Sequence, residues 1–509
     1  SIILTLFYSF DIDQRAINGA LVLSDKINYN IEENPLNLIF HNSWTFIYQI
    51  LKIFIDLDVS IEFLNFLILF FSITMHSFGI FYISSAISQD KLFSIITVVS
   101  ILLFQINFGD LDYPTLVISE HTNGMLSSAF VVLVFGLISQ RKFDYAIIFS
   151  VITILTHLVI GLWLALIIFL TLLIFKENKI KLNVKKKSVF ITFLFIIIIF
   201  IYCFIQFQLN KISIPFTYDE NLYKIYLNNW DQHRSKDLGI NYIYVVLSLI
   251  LLTFSISIIK TQTVKKFYLP LFMLQALTLH IFFSFLLYIS FKIYPELYKG
   301  IFLKVIPTRF FLLHSVAGPA IIFSFIFLYL KKKIKIKNII FPVLIVILLH
   351  PLFFYEKYKK KVMNLSNNIF VNKKNYDGIF WGKVKKSNIS NGLILTSNNA
   401  CTKTFQKAQK PILICIESID AIPYMPKLVL PIKEILEDIY EENFMYPKEK
   451  NRGGIKYDKT YRKVFETRSK EQWQKISNKF NLAALIVPKD WNINLDKNIE
   501  GSNYIFYKF

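Results

Sequence analysis

At 509 residues, 54% hydrophobic and only 18% charged, with a mean hydropathy of +0.48, the chain is far more apolar than a soluble domain, in which about 25% charged residues are usual. Its 15 Gly, 15 Pro and 3 Cys exclude a collagen-like chain, a low-complexity disordered chain and a disulfide scaffold. The net charge of +21 does not mark a nucleic-acid binder, because over residues 1–355 the basic side chains sit in short loops between apolar runs, where they set membrane topology.

The chain begins with Ser, and residues 1–10 are expected to be the tail of a hydrophobic span whose start is missing. A helix crossing about 30 Å of hydrocarbon needs roughly 20 apolar residues. Further spans are predicted at 61–87, 92–108, 124–139, 143–156, 158–175, 188–207, 239–259, 267–291, 309–330 and 338–355, about 10–11 transmembrane helices in all. The 33-residue run 143–175 is too long for one crossing. Its polar break at Thr156-His157 leaves two short helices joined by a tight turn, or one long tilted helix; the alternation of loops favours two.

Taken alternately, the loops 88–91, 140–142, 176–187, 260–266 and 331–337 hold 17 Lys/Arg in 33 positions. The other set, 11–60, 109–123, 208–238 and 292–308, is richer in acids than in bases. The positive-inside rule places the first set in the cytoplasm and every long loop outside. Residues 1–361 thus read as a polytopic α-helical membrane domain in a bacterial cytoplasmic membrane. Residues 43–55, apolar but too short to span and marked by Trp44 and Tyr48, suit a helix lying in the interface.

From 362 to 509 the composition changes to that of a small extracytoplasmic α/β domain. Gly392–Thr396, Pro411–Ile416, Leu482–Val487 and Tyr504–Tyr507 read as strands. Residues 429–442 and 469–480 read as helices, with Ser469 and Gln472 forming a capping box for the second. No Gly-rich phosphate loop, nucleophile elbow or metal-ligand cluster appears in this part of the sequence. Cys401 and Cys415 are permitted a disulfide outside the membrane, but their spacing does not indicate one.

Acidic and imidazole groups near membrane level gather on the outer side, and charge there is costly unless solvated, paired or lining a cavity. Asp11 and Asp13 follow the first span; in extended backbone they face the same way, suited to general-base chemistry or, through oxygen ligands, to a divalent cation such as Mg or Mn. Asp110 and Asp112 repeat that spacing in the second outer loop, with Glu120 and His121 just before the next span. His157 falls at the outer turn of 143–175, where a structural hydrogen-bonded role competes with substrate binding. Arg309 ends a span and is shaped to grip a phosphate, to snorkel to head groups or to pair with a carboxylate. The stretch Trp230–Arg234 brings His233 and Arg234, and an aromatic face suited to a sugar, to the same side.

This arrangement resembles the GT-C class of integral-membrane glycosyltransferases: many spans, a first outer loop with an interface helix, an acid after span one, a second acidic cluster in the next outer loop, and a soluble C-terminal domain. The matching positions are Asp11 or Asp13, the helix at 43–55, Asp110, Asp112 and Glu120, and the region from 362. The stretch from Trp381 through Gln406, Ile435–Tyr440 and Trp473 to Pro488–Trp491 also resembles the tail of a family of bacterial polytopic membrane proteins, a likeness that names no activity. The GT-C resemblance implies transfer of a sugar from a polyprenyl-phosphate donor to a glycan, lipid or protein acceptor. Asp11 would be the first choice as base and Asp13 or Asp110 the next, with Asp112, Glu120, His121, His157, His233, Arg234 and Arg309 binding substrate. A transporter or flippase, an outer-face polymerase and a non-catalytic scaffold are the competing readings.

Overall fold

The computed structural model describes residues 12–105, 117–175, 187–231, 315–333, 373–389, 392–448 and 457–509, with a few single positions between them. It is mostly helical, with a small four-stranded mixed sheet near the C-terminus. In chain order the helices before the sheet are α1 (Ala16–Leu23), α2 (Pro35–Asn42), α3 (Phe46–Asp56), α4 (Ile61–Ser88), α5 (Lys91–Phe104), α6 (Thr122–Ser139), α7 (Phe143–Thr156), α8 (Leu158–Phe175), α9 (Lys187–Asn210), α10 (Glu220–Asn229), α11 (Ala317–Lys333) and α12 (Lys373–Lys386). Three helices, over Ile61–Ser88, Thr122–Ser139 and Phe190–Asn210, are long and apolar enough to cross a membrane. The spans expected at 239–259 and 338–355 lie outside the described residues, as nearly all of 1–10 and 267–291 do.

The 143–175 run is two helices. His157 adopts an extended conformation (φ −152°, ψ 94°) and separates α7 from α8. Gly161 lies so close to α7 that a Cβ there would come 2.4 Å from Ile154 Cα, which is how the chain reverses so tightly. The central element is α6, almost wholly buried between its neighbours. It runs parallel to α4, from the Phe71–Phe130 ring contact at 5.8 Å to Ser139 Oγ, which donates to Tyr82 O at 3.2 Å. Their crossing is set by two glycines: a Cβ on Gly79 would lie 2.6 Å from the Val132 carbonyl, and one on Gly136 2.7 Å from Gly79 O. Small residues let helices inside a membrane approach closely enough for dispersion to hold them.

Among the described residues, the loops 88–91 and 140–142 and the start of 331–337 lie at one end of this bundle, and the described parts of 11–60, 109–123 and 208–238 at the other. At one end Gln140 Nε2 donates to Tyr82 O at 2.9 Å, and Lys331 Nζ lies 3.4 Å from Asp90 Oδ2. At the other end the starts of α4 and α6 and the end of α9 meet the segment 12–42, where His41 Nδ1 donates to Asn210 O at 2.8 Å. The helix expected within 43–55 is present as α3. Trp44, just before it, packs edge-on against Phe200, Phe204 and Phe207 of α9 at 5.4–5.8 Å, while Tyr48 turns inward against Gly19.

In the C-terminal region the strands are β1 (Leu393–Thr396), β2 (Leu482–Pro488), β3 (Lys497–Glu500) and β4 (Tyr504–Lys508), ordered β1-β2-β4-β3. β1 and β2 are parallel and the other pairs antiparallel. The strand expected at 411–416 reduces to one parallel bridge, Ile412 to Ile394, because side chains of the segment 12–37 occupy its outer edge. The helices α13 (Ile416–Ala421), α14 (Val429–Tyr440), α15 (Asp458–Thr467) and α16 (Lys470–Phe480) complete the region. α16 carries the expected reciprocal cap, Ser469 N–H to Gln472 Oε1 at 2.8 Å and Gln472 N–H to Ser469 Oγ at 3.3 Å. Tyr440, Tyr461, Phe465, Trp473 and Trp491 pack ring on ring at 4.9–5.6 Å to form the inner face. Cys401 and Cys415 are joined in a disulfide that their sequence spacing had not indicated.

The glycines give two predictions of opposite sign. Gly79→Leu forces α4 from α6 and destabilises by about 1–3 kcal/mol or more, as overpacking does. Gly378→Ala, on α12 where a Cβ meets nothing within 4 Å, stabilises by about 0.5–1 kcal/mol through lower unfolded-chain entropy. Thermal unfolding in detergent micelles reads both.

Candidate functional site

The site begins with the problem of a backbone that turns inside packed protein. Gln14, Arg15 and Ala16 lie just before and at the start of α1, with Gln14 and Ala16 buried. Their backbone groups find partners on three distant segments. Gln14 N–H donates to Asn65 Oδ1 at 2.6 Å, and Gln14 O accepts from Gln406 Nε2 at 2.9 Å. Arg15 N–H donates to Glu120 O at 3.0 Å, and Ala16 N–H to Thr122 Oγ1 at 3.1 Å. The Gln14 side chain continues the net, donating to Ser119 O at 3.0 Å and accepting from Thr122 Oγ1 at 3.0 Å.

Gln406 is the hub on the C-terminal side. It stands on a π-helical turn, Thr404–Ala408, and is itself buried. Its amide nitrogen also donates to Asn18 Oδ1 at 3.0 Å, and its oxygen accepts from Asn65 Nδ2 at 2.9 Å. Asn65 and Gln406 therefore hold the peptide groups on either side of residue 14 and each other as well. A buried polar network of this kind is rigid only when each member is satisfied.

Arg15 adds the charge. Its guanidinium pairs with Glu120 and lies 3.3 Å from Glu417. Burial pulls its pKa down, but the charges of Glu417, Glu120 and Asp420 outweigh that, and the group stays above its ordinary value and fully cationic. The same burial, with Glu417 nearby and only Arg15 opposing, raises the Tyr48 phenol. Arg15 spends its charge on these carboxylates, so it does not offer a phosphate an open guanidinium fork.

The other candidates fall as follows. Asp13 is half-buried one residue before the network. Its charge reaches Tyr504 on β4, whose phenol is pushed up to about 12 by burial first and then by Asp458, Asp377 and Asp13. Glu120 serves as the partner of Arg15. His121 is exposed before the first turn of α6, its N–H donating to Ser119 Oγ at 3.1 Å. His157 marks the α7–α8 turn at the same end of the bundle. Asp11, Asp110, Asp112, His233, Arg234 and Arg309 lie outside the described residues. Trp230 does not offer a face to a sugar: it is fully buried, stacked on Phe444 at 5.2 Å with Nε1 donating to Phe444 O at 2.7 Å.

Glu417, Gln406 and Asn65 were not among the sequence candidates; each is an ordinary polar residue until the fold brings it to residue 14. His76 was missed too. It is fully buried mid-way along α4, with Nδ1 3.0 Å from Ser72 O and Nε2 without a partner. Of the pair expected to ligate a divalent cation, Asp13 is among the described residues and Asp11 is not. Glu120 and Glu417 are held by Arg15. The one described group of metal-type donors, Cys401, Cys415 and Glu417, has its sulfurs tied in the disulfide. No family model, curated protein or solved structure matches the chain.

Gln406→Ala leaves the Gln14 carbonyl and the Asn65 amide unsatisfied and is expected to cost about 1–3 kcal/mol. Glu417→Gln, at a partly exposed pair, is expected to cost about 1 kcal/mol or less. Chemical denaturation of the detergent-solubilised chain should rank Gln406→Ala well below Glu417→Gln.

Proposed function

We propose that the chain is a polytopic membrane glycosyltransferase of GT-C type, moving a sugar from a polyprenyl-phosphate donor to an acceptor at the outer face of a bacterial cytoplasmic membrane. On this reading the acid-rich end of the bundle is the outer face, about 10–11 helices cross the bilayer, and residues 362–509 form the extracytoplasmic domain. The observation that carries it is the meeting of three segments at that end. The residues after the first predicted span, those before α6 and the C-terminal region share one polar junction with Asp13 at its rim.

An acceptor hydroxyl is a weak nucleophile at neutral pH. A carboxylate set beside it takes its proton as it attacks the anomeric carbon, and a single displacement inverts that centre. Asp11 is the first choice for this base, with Asp13 and Asp110 next; Asp13 is the one among the described residues, directly before Gln14, whose N–H and C=O are both held by side-chain amides. The departing lipid phosphate gains charge and requires a cation. Arg15 is committed to carboxylates, so Arg309 takes that role. No step is routed through a metal.

A second reading has one observation in its favour. An imidazole with an unpartnered nitrogen inside an apolar spanning helix, as at His76, is the mark of a transport pathway more often than of an outer-face enzyme.

Mass spectrometry of envelope glycans and polyprenyl-linked sugars separates the two. The strains are wild type, a deletion, and Asp11→Asn, Asp13→Asn, Asp110→Asn and His76→Leu, each at normal abundance. The expected result is that one aspartate variant matches the deletion, with a sugar missing from the glycan and its lipid carrier accumulating; loss of a general base slows transfer by about 10²–10⁴-fold. A deletion without glycan or lipid change removes the transferase reading. A deletion phenotype copied by His76→Leu and by none of the aspartate variants moves transport ahead.

A further inference from the structure

The contacts that seat the C-terminal region on the segment 12–40 come from one short stretch of chain. Gln406 supplies the amide bonds to Gln14 and Asn18. Tyr29 OH accepts from Ile412 N–H at 3.2 Å and donates to Ile412 O at 3.1 Å, while Asn34 Nδ2 donates to Leu413 O at 3.0 Å. Phe405 meets Phe40 edge-on at 5.7 Å. Glu417 follows with the Arg15 pair. The stretch 401–415 is closed on itself by the disulfide, and Glu417 is two residues beyond it. A second seat is independent of that loop: α10 holds the far side through Tyr226 OH to Ile419 O at 2.7 Å and Asn229 Nδ2 to Met445 O at 2.7 Å.

We propose that Cys401 and Cys415 are an oxidation site whose disulfide acts as a clasp, fixing the loop 401–415 in the shape that docks on the segment 12–40 and so completing the junction around Gln14. Tyr29 and Asn34 read backbone groups of Ile412 and Leu413, and Gln406 reaches its partners from a π-helical turn; these contacts have a fixed spacing only if the loop has one shape. An open chain of this length has many shapes, and cross-linking its ends removes most of them.

The chemistry requires an oxidised dithiol as co-reactant. One cysteine thiolate attacks the partner's disulfide, forming a mixed disulfide and releasing one partner thiolate. The second thiolate then attacks the protein sulfur of that bond, closing Cys401–Cys415 and releasing the other. Two electrons and two protons pass to the partner, which leaves as a dithiol. Both sulfurs belong to residues only 2% and 3% exposed, so the exchange precedes docking, and docking then shields the bond.

The inference does not rest on the transferase reading, and its test reads no activity. The full-length chain in detergent is treated with dithiothreitol without denaturant, and freed thiols are counted by mass-tagged maleimide. The expected result is an oxidised pair that resists reduction, about tenfold faster reduction in Gln406→Ala, and a smaller increase in Glu417→Gln, both of which loosen the dock without touching sulfur. Equal rates in all three proteins, or free thiols in the protein as isolated from cells, overturn the proposal. Hydrogen exchange on the reduced wild-type chain gives a second reading that needs no variant to fold. Amides of residues 26–38 should exchange faster than in the oxidised protein while those of α10 do not change. Unaltered exchange at 26–38, or equal loosening of α10, overturns the clasp.

Discussion

A peptide that leaves a helix inside packed protein must find partners for its N–H and C=O, since an unpaired buried group costs about as much as several good contacts return. Gln14 is that peptide here. Its nitrogen and oxygen are taken by two side-chain amides, from Asn65 at the start of α4 and from Gln406, which lies 392 residues on. The rest of the acid-rich end follows. Arg15 and Ala16 are held in register with Glu120 and Thr122, and the C-terminal region becomes a wall of the junction. The C-terminal sheet is thus integral to the end of the bundle on which it sits, and its parallel-strand edge is covered by the segment 12–37 instead of being left open for unwanted pairing.

Charge at this junction is distributed unevenly. Three carboxylates, Glu120, Glu417 and Asp420, act on the one guanidinium of Arg15. The surplus is negative, at a cluster only partly covered: the Glu120 side chain is 46% exposed and that of Glu417 24%. Such a surface repels an anion and favours a hydroxyl donor or a cation.

The legible part of the structure was the part written in short-range patterns. Apolar run length located α4 and α6–α9, and loop charge separated the described loops at the two ends. The break at Thr156-His157 was readable because a polar pair interrupts an otherwise continuous run, and α16 because its cap is local. What could not be read depends on pairs far apart in the chain. An amide at 406 carries no mark that its partners are at 14, 18 and 65. An aromatic residue reads the same whether it faces a sugar or packs on Phe444, and Trp230 proved to do the second. The segment 411–416 has strand composition, but its outer hydrogen bonds go to Tyr29 and Asn34 side chains, so it stops at a single bridge.

These long separations also impose an order on assembly. The contacts among α4, α6 and α7 join elements near in sequence and can form early, whereas residue 14 waits for residue 406. Closing so long a loop adds little entropy beyond closing a shorter one, since the cost rises only with the logarithm of length. The difficulty is geometric: a flexible stretch must present an amide, two backbone carbonyls and a carboxylate at once to a surface already formed. Restricting that stretch beforehand lowers the ordering cost at the moment of docking, as preorganisation does in any binding event. Until then the Gln14 carbonyl and the Arg15 charge must be solvated, which is possible at the end of the bundle and not at its middle. The junction therefore lies where the last contacts to form are also the ones that water can hold open.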